Sequence, residues 1–218
     1  MTGSAAIEAV LWDFGGVLTS SPFDAFNRYE AQHGLPQDFI RTINATNPET
    51  NAWAQFESSQ ISAEQFDALF QAEAREAGHD VPGAEVLALL SGDLRPRVVA
   101  ALQACKAVFK VGCITNNVKS GQGPGMARSS ERAAALAKVM ALFDVVVESS
   151  VEGVRKPEPE IYRIACQRLG IEPSRTIFLD DLGVNLKPAR AMGMHTIKVL
   201  NEQQALDELA GLTGLPIA

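Results

Sequence analysis

Ala9-Val10-Leu11-Trp12-Asp13-Phe14-Gly15-Gly16-Val17-Leu18 is the stretch that decides the fold. Ala9 to Leu11 reads as a buried strand ending at Asp13, and Gly15-Gly16 punctuates the turn behind it. Three later segments answer it: Ile114-Thr115-Asn116-Asn117, Arg155-Lys156-Pro157 and Phe178-Leu179-Asp180-Asp181. Three of the four follow apolar, β-branched runs, where parallel strands end, and the lysine opens a helix after another such run. Open α/β sheets bind ligands at the carboxyl ends of their strands. A carboxylate, a hydroxyl and amide, a lysine and a pair of acids would then face one point. That set suits a nucleophile, an anion clamp and a divalent metal.

Outward from these segments the pattern alternates. Helices are predicted over 96–105, 130–142, 159–169 and 186–192, and strands over 108–114, 145–147, 176–179 and 196–200. Strands alternating with helices of about a dozen residues mean βαβ units and a parallel sheet. The expected fold is therefore α/β, a Rossmann-like doubly wound parallel sheet. Between Ser21 and Asp80 the pattern turns helical. Ser21-Pro22 caps a first helix, Asn47-Pro48 repeats the device, and Ser62-Ala63-Glu64-Gln65 is a capping box. This stretch has no strand signal. The predicted domains are an α/β core over 1–20 and 81–218 and an inserted helical cap over 21–80, hinged near Ser20 and Asp80. A Gly-rich loop, Ser120 to Gly125, follows the second strand and is expected at the entrance of the site.

Composition narrows the function classes. The chain has 218 residues, 46% apolar and 21% charged, with a formal net charge of −7. No Lys/Arg-rich stripe offsets that charge, which argues against a nucleic-acid partner. An anionic substrate would need a local cation, either a metal or a lysine. No apolar run approaches the ~20 residues that span a bilayer, and the N-terminal residues lack a basic region followed by an apolar core and cleavage site, so no export is expected. A cytoplasmic protein is expected. Cys105, Cys113 and Cys166 lie in apolar stretches and read as buried small hydrophobes in a reducing compartment. His33, His79 and His195 share no metal-ligand spacing, and Trp12 reads as core. The oligomeric state is left open, and a homo-oligomer is compatible with the sequence.

The four segments, in this order, resemble the motifs of the haloacid dehalogenase-like (HAD) hydrolase superfamily, with a helical cap inserted after the first. The stretches Arg155 to Tyr162 and Phe178 to Arg190 look like the N-terminal phosphatase domain of soluble epoxide hydrolases, and like the HAD domain attached to some acyl-CoA dehydrogenases. The resemblance implies that Asp13 is the nucleophile and forms an aspartyl-phosphate. It makes Thr115, Asn116 and Lys156 the phosphate ligands, Lys156 also serving catalysis. Mg²⁺ would be held by Asp13, the Gly15 backbone carbonyl and Asp181, with Asp180 orienting or acting through water and Asn185 at the polar position that follows. Arg155 reads as a solvated neighbour.

The chain departs from the family pattern at one place. HAD phosphatases usually carry a second acid two residues after the nucleophile, and here that residue is Gly15. Asp24 and Glu30 are candidates to replace it. A Mg²⁺-dependent phosphatase on a small organic phosphate is the first expectation. A haloacid-type dehalogenase shares the aspartate and the lysine without needing a metal. A phosphate-binding or regulatory protein whose chemistry lapsed is the third.

Overall fold

Every side chain of β1 (Ala9–Trp12) is out of solvent. A strand covered on both faces sits in the middle of a parallel sheet. The computed structural model describes residues 6–90, 92–117 and 130–217, so the predicted loop Ser120 to Gly125 lies outside the described residues. The chain leaves β1 for five helices, α1 (Pro22–His33), α2 (Phe39–Ala45), α3 (Ala52–Glu57), α4 (Ala63–Glu76) and α5 (Gly83–Leu89). It then runs through α6 (Pro96–Lys106), β2 (Lys110–Thr115), α7 (Ser130–Met140), β3 (Val145–Glu148), α8 (Ser149–Glu152) and α9 (Pro159–Leu169). The last elements are β4 (Thr176–Asp180), α10 (Gly183–Ala191), β5 (His195–Lys198) and α11 (Glu202–Thr213).

All strand pairs are parallel, in the order β3-β2-β1-β4-β5. The doubly wound α/β architecture expected from the sequence is the one observed. Alternate side chains along each strand serve opposite faces. Val10, Trp12, Val111, Cys113 and Leu179 join a core with α6, α7 and α11. Ala9, Leu11, Ile114 and Phe178 join a second core with α9 and α10. The three cysteines are free and buried in these layers, as expected. Neighbours of β1 cross in opposite directions, β2 to one side and β4 to the other. The crevice this opens above the carboxyl end of β1 is where such sheets bind ligands.

The helical segment has its own apolar core, built on Phe26, Ile40, Phe56, Phe66 and Phe70. Its local signals are those of the sequence in two places. Ser21 Oγ accepts from the Phe23 amide with Pro22 in the first turn. Ser62 and Gln65 form a reciprocal capping box. Asn47-Pro48 does not open a helix. Asn47 sits at φ +49°, unlike the extended backbone of a cap, and Asn51 caps α3 instead, its Oδ1 accepting from the Ala54 amide at 2.8 Å. The helical core also runs past Asp80, since Val81, Val86, Leu89 and Leu90 all pack into it. The chain rejoins the α/β layer where Ser20 N donates to Asp93 O at 2.8 Å and Arg95 N to Leu18 O at 2.9 Å. Among the described residues no helix is long and apolar enough to cross a membrane.

Candidate active site

Asp13 follows directly from the end of β1. Its amide donates to Leu179 O at 2.8 Å, so the ladder with β4 carries one step further and fixes where the carboxylate starts. Register does the rest: Trp12 pairs with Cys113 on one side and Leu179 on the other, which sets Asp13 level with Ile114 and Asp180. Asp13 Oδ1 accepts from the Phe14 amide at 2.7 Å and lies 2.7 Å from Lys156 Nζ. The same ammonium donates to Asp180 Oδ2 at 2.8 Å. Lys156 is almost fully buried, and Asp180 is wholly so.

Asp180 is held on every side. Leu182 N and Asn185 Nδ2 donate to Oδ1 at 2.8 and 3.0 Å, and Asn185 Nδ2 also reaches Oδ2 at 3.1 Å. Asn185 is fixed in turn, since the Tyr162 hydroxyl donates to its carbonyl at 2.6 Å. Asp181 is less buried and less engaged. Ser21 Oγ, which also caps α1, lies 3.5 Å from its Oδ2. One carboxylate oxygen from each of Asp13, Asp180 and Asp181 falls within 4.8 Å of the others.

Three carboxylates against one ammonium leave excess negative charge, and the ionisation of Asp13, Asp181 and Lys156 registers it. Burial pushes Asp13 well above the ordinary carboxylate range, Lys156 opposes this, and Asp180 and Asp181 add to it. Burial and then the charge of Asp180 raise Asp181 to about 6 against Lys156 and Arg95. Burial alone would lower Lys156, but the charges of Asp13 and Asp180 outweigh it and keep the ammonium protonated. A divalent cation among these oxygens would relieve that repulsion. The donors are hard carboxylate oxygens, the set that Mg²⁺ prefers. The residues present fit the metal.

The two glycines behind Asp13 differ. Gly16 has φ +75°, and a Cβ there would stand 2.2 Å from Asp181 Oδ2, so the residue keeps room for the acid. At Gly15 a Cβ would meet nothing within 4 Å. Arg95 Nη1 donates to Gly16 O at 2.8 Å and steadies this turn, a role the sequence did not mark.

Thr115 ends β2 and is buried. Asn116 turns its side chain to the lysine segment. Oδ1 accepts from Lys156 N at 2.8 Å, and Nδ2 donates to Lys156 O at 3.0 Å and to Glu57 Oε2 at 3.4 Å. Arg155 is not a solvated neighbour. Its guanidinium pairs with Glu57 of α3 and donates to Pro48 O at 2.7 Å. Of the candidates for a replacement acid, Glu30 is turned to another task. Glu30 is buried and caps α2, accepting from Asp38 N at 2.8 Å and Ile40 N at 2.9 Å, while Asp24 is exposed in the first turn of α1.

A family model described as haloacid dehalogenase-like hydrolase matches residues 7–193. The chain is 33% identical, over 96% of its length, to bifunctional epoxide hydrolase 2 of Mus musculus, of which it covers 39%. It is 30% identical, over 93% of its length, to Phosphatase MT3486 of Mycobacterium tuberculosis, of which it covers 91%. It spans only 20% to 40% of the longer curated relatives it matches. Among solved structures, a HAD family enzyme from Bacteroides thetaiotaomicron in complex with magnesium and inorganic phosphate shares the fold. The TM-score is 0.56 at 21% identity, covering 88% of this chain and 93% of that one.

Proposed function

The chain belongs to the haloacid dehalogenase-like hydrolases, and from that membership we propose that it is a Mg²⁺-dependent phosphatase of small organic phosphate monoesters. One observation carries the reading. Lys156 bridges Asp13 and Asp180 with Asp181 beside them, at the carboxyl ends of the central strands. Phosphoryl transfer needs positioning and charge compensation above all, and these residues offer both.

Asp13 Oδ1 is committed to Phe14 N and Lys156, so we assign Oδ2 as the attacking atom. As its bond to phosphorus forms, the bond from phosphorus to the ester oxygen breaks. The resulting aspartyl-phosphate is then hydrolysed by water attacking phosphorus, which returns the carboxylate. Lys156 offsets the charge on Asp13 and on the phosphoryl group. The Thr115 hydroxyl would hold a phosphate oxygen. Since the Asn116 carboxamide is bound to Lys156, its part in phosphate binding falls to its backbone. Asp13, Asp181 and the Gly15 carbonyl would hold Mg²⁺, with Asp180 orienting the set. Bound there, the ion would draw charge from the phosphoryl oxygens as a Lewis acid. We read the helical layer, residues 21 to about 90, as a cap that excludes water and selects the substrate. Its two connections run side by side at 18–20 and 93–95.

Gly15 favours a second reading, because carbon–halogen hydrolysis also uses an aspartate and a lysine and has no alcohol to protonate. Both are tested together. p-Nitrophenyl phosphate hydrolysis with Mg²⁺, lost on chelation and lost in Asp13→Asn, is the expected result. Halide release from a 2-haloacid without any phosphatase activity would overturn it.

A further inference from the structure

Glu57 is the last residue of α3 and belongs to the helical layer, yet its carboxylate lies against the α/β core. It is nearly buried, and its Oε2 receives both the Arg155 guanidinium and Asn116 Nδ2. These two partners flank one residue. Arg155 precedes Lys156, and Asn116 grips the Lys156 backbone on both sides, accepting from its N–H and donating to its C=O. The Lys156 ammonium then joins Asp13 to Asp180. A continuous chain of polar contacts thus runs from a cap helix to the proposed nucleophile.

The surrounding contacts dock this end of α3 and the turn ahead of the helix. Ser149 Oγ donates to Glu57 O at 3.0 Å, Ser59 Oγ to Ser150 O at 3.3 Å, and Arg155 reaches Pro48 O. Among the described residues, Glu57 is the cap carboxylate that brings charge to the lysine segment. Burial raises its pKa, while Arg155, Trp53 and Lys156 pull it down. A buried carboxylate with cationic partners is set by geometry, and moving it leaves those partners uncompensated.

We propose that Glu57 is a positioning residue through which the seated cap fixes Lys156 against Asp13. The proposal rests on the phosphatase reading for its kinetic consequence but not for its structural one. With Glu57 in place, Asn116 and Arg155 hold the lysine segment in one arrangement. With the carboxylate withdrawn both lose their shared acceptor, and with it neutralised both lose the charge that holds them there, so the Lys156 backbone is freer to shift. Chemistry at Asp13 then depends on the cap being seated.

The test pairs kinetics with hydrogen exchange on the intact protein. In Glu57→Gln, kcat for p-nitrophenyl phosphate should fall tenfold or more while KM changes less than threefold, and Glu57→Asp should lose less. Amide exchange in the peptide spanning 154–160 should quicken in Glu57→Gln without metal or substrate. The exposed Glu64→Gln should change neither. If Glu57→Gln does not fold, Arg155→Lys takes its place, with the same directions expected. Unchanged exchange over 154–160 would overturn the proposal, and so would faster exchange with unchanged kcat. Faster exchange in a protein whose wild type hydrolyses no phosphate ester would sink the phosphatase reading and leave the coupling standing.

Discussion

Lys156 and Asp180 form an ion pair with Nζ and Oδ2 2.8 Å apart, and the two side chains are 1% and 0% exposed. Breaking a buried pair from one side strands the other charge, typically at about 3–5 kcal/mol. Lys156→Met should therefore destabilise the protein by roughly that amount, leaving three acids without their cation. Mg²⁺ bound among those acids would offset part of the loss, because a ligand that binds only the folded state stabilises it. Urea unfolding with and without Mg²⁺ checks this. A Lys156→Met protein as stable as wild type in chelator would contradict it.

Asp144 offers a pH-dependent term far from the site. Its Oδ2 accepts from Val111 N at 2.8 Å at the start of β2, and that hydrogen bond first, with Lys106 beside it, lowers the pKa. A depressed carboxylate contributes stability above its unfolded pKa of about 3.9 and loses it as pH falls through the folded value. The side chain is 43% exposed, so solvent screening holds the term to about 1 kcal/mol or less. Asp144→Asn should be less stable than wild type at pH 7, and the gap should narrow as pH drops below about 4. Parallel denaturant titrations at the two pH values measure it.

Asp181 is the less engaged of the two adjacent acids. Asp180 has four polar contacts from Lys156, Leu182 and Asn185, whereas the Asp181 carboxylate has a long contact from Ser21 Oγ and is less buried. Asp181→Asn should thus lower Mg²⁺ affinity by tenfold or more (~1.4 kcal/mol) with little change in fold stability. Calorimetric titration that finds equal affinity in both proteins would exclude Asp181 as a ligand.

The strand ends carrying the site were legible because buried parallel strands read as unbroken apolar runs. Asp13, Thr115 and Asp180 each close such a run, and the register draws Asp13 level with Asp180. The family was legible in the same residues, and its model matches most of the chain. What stayed hidden depends on the third dimension. Glu57 and Arg155 lie 98 positions apart, so neither residue type nor spacing announces their pairing. Glu30 looked like a spare acid on a helix face, yet it caps α2, a contact that no periodicity encodes. One miss had a signal in reach. Asn51 before Ala52 is a good N-cap residue, and it outcompetes Asn47-Pro48 as the start of α3.

The last prediction turns on the two adjacent glycines. Gly16 admits no side chain, for its φ is +75° and a Cβ would collide with the Asp181 carboxylate at 2.2 Å. Gly16→Ala should accordingly weaken both the fold and Mg²⁺ binding. A Cβ at Gly15 would meet nothing within 4 Å, so Gly15→Asp should fold as well as wild type. An acid there could protonate a leaving alkoxide and later activate water, a contribution of about 10²–10⁴-fold. Without it, alkyl phosphates should turn over slowly, because an alkoxide leaves poorly unprotonated, while p-nitrophenolate leaves unaided. Gly15→Asp should raise kcat for an alkyl phosphate more than for p-nitrophenyl phosphate. Equal gains on both esters would mean that leaving-group protonation is not what this site lacks. Wild-type turnover of alkyl phosphates at about 1–10³ per second would mean that the proton already has another source.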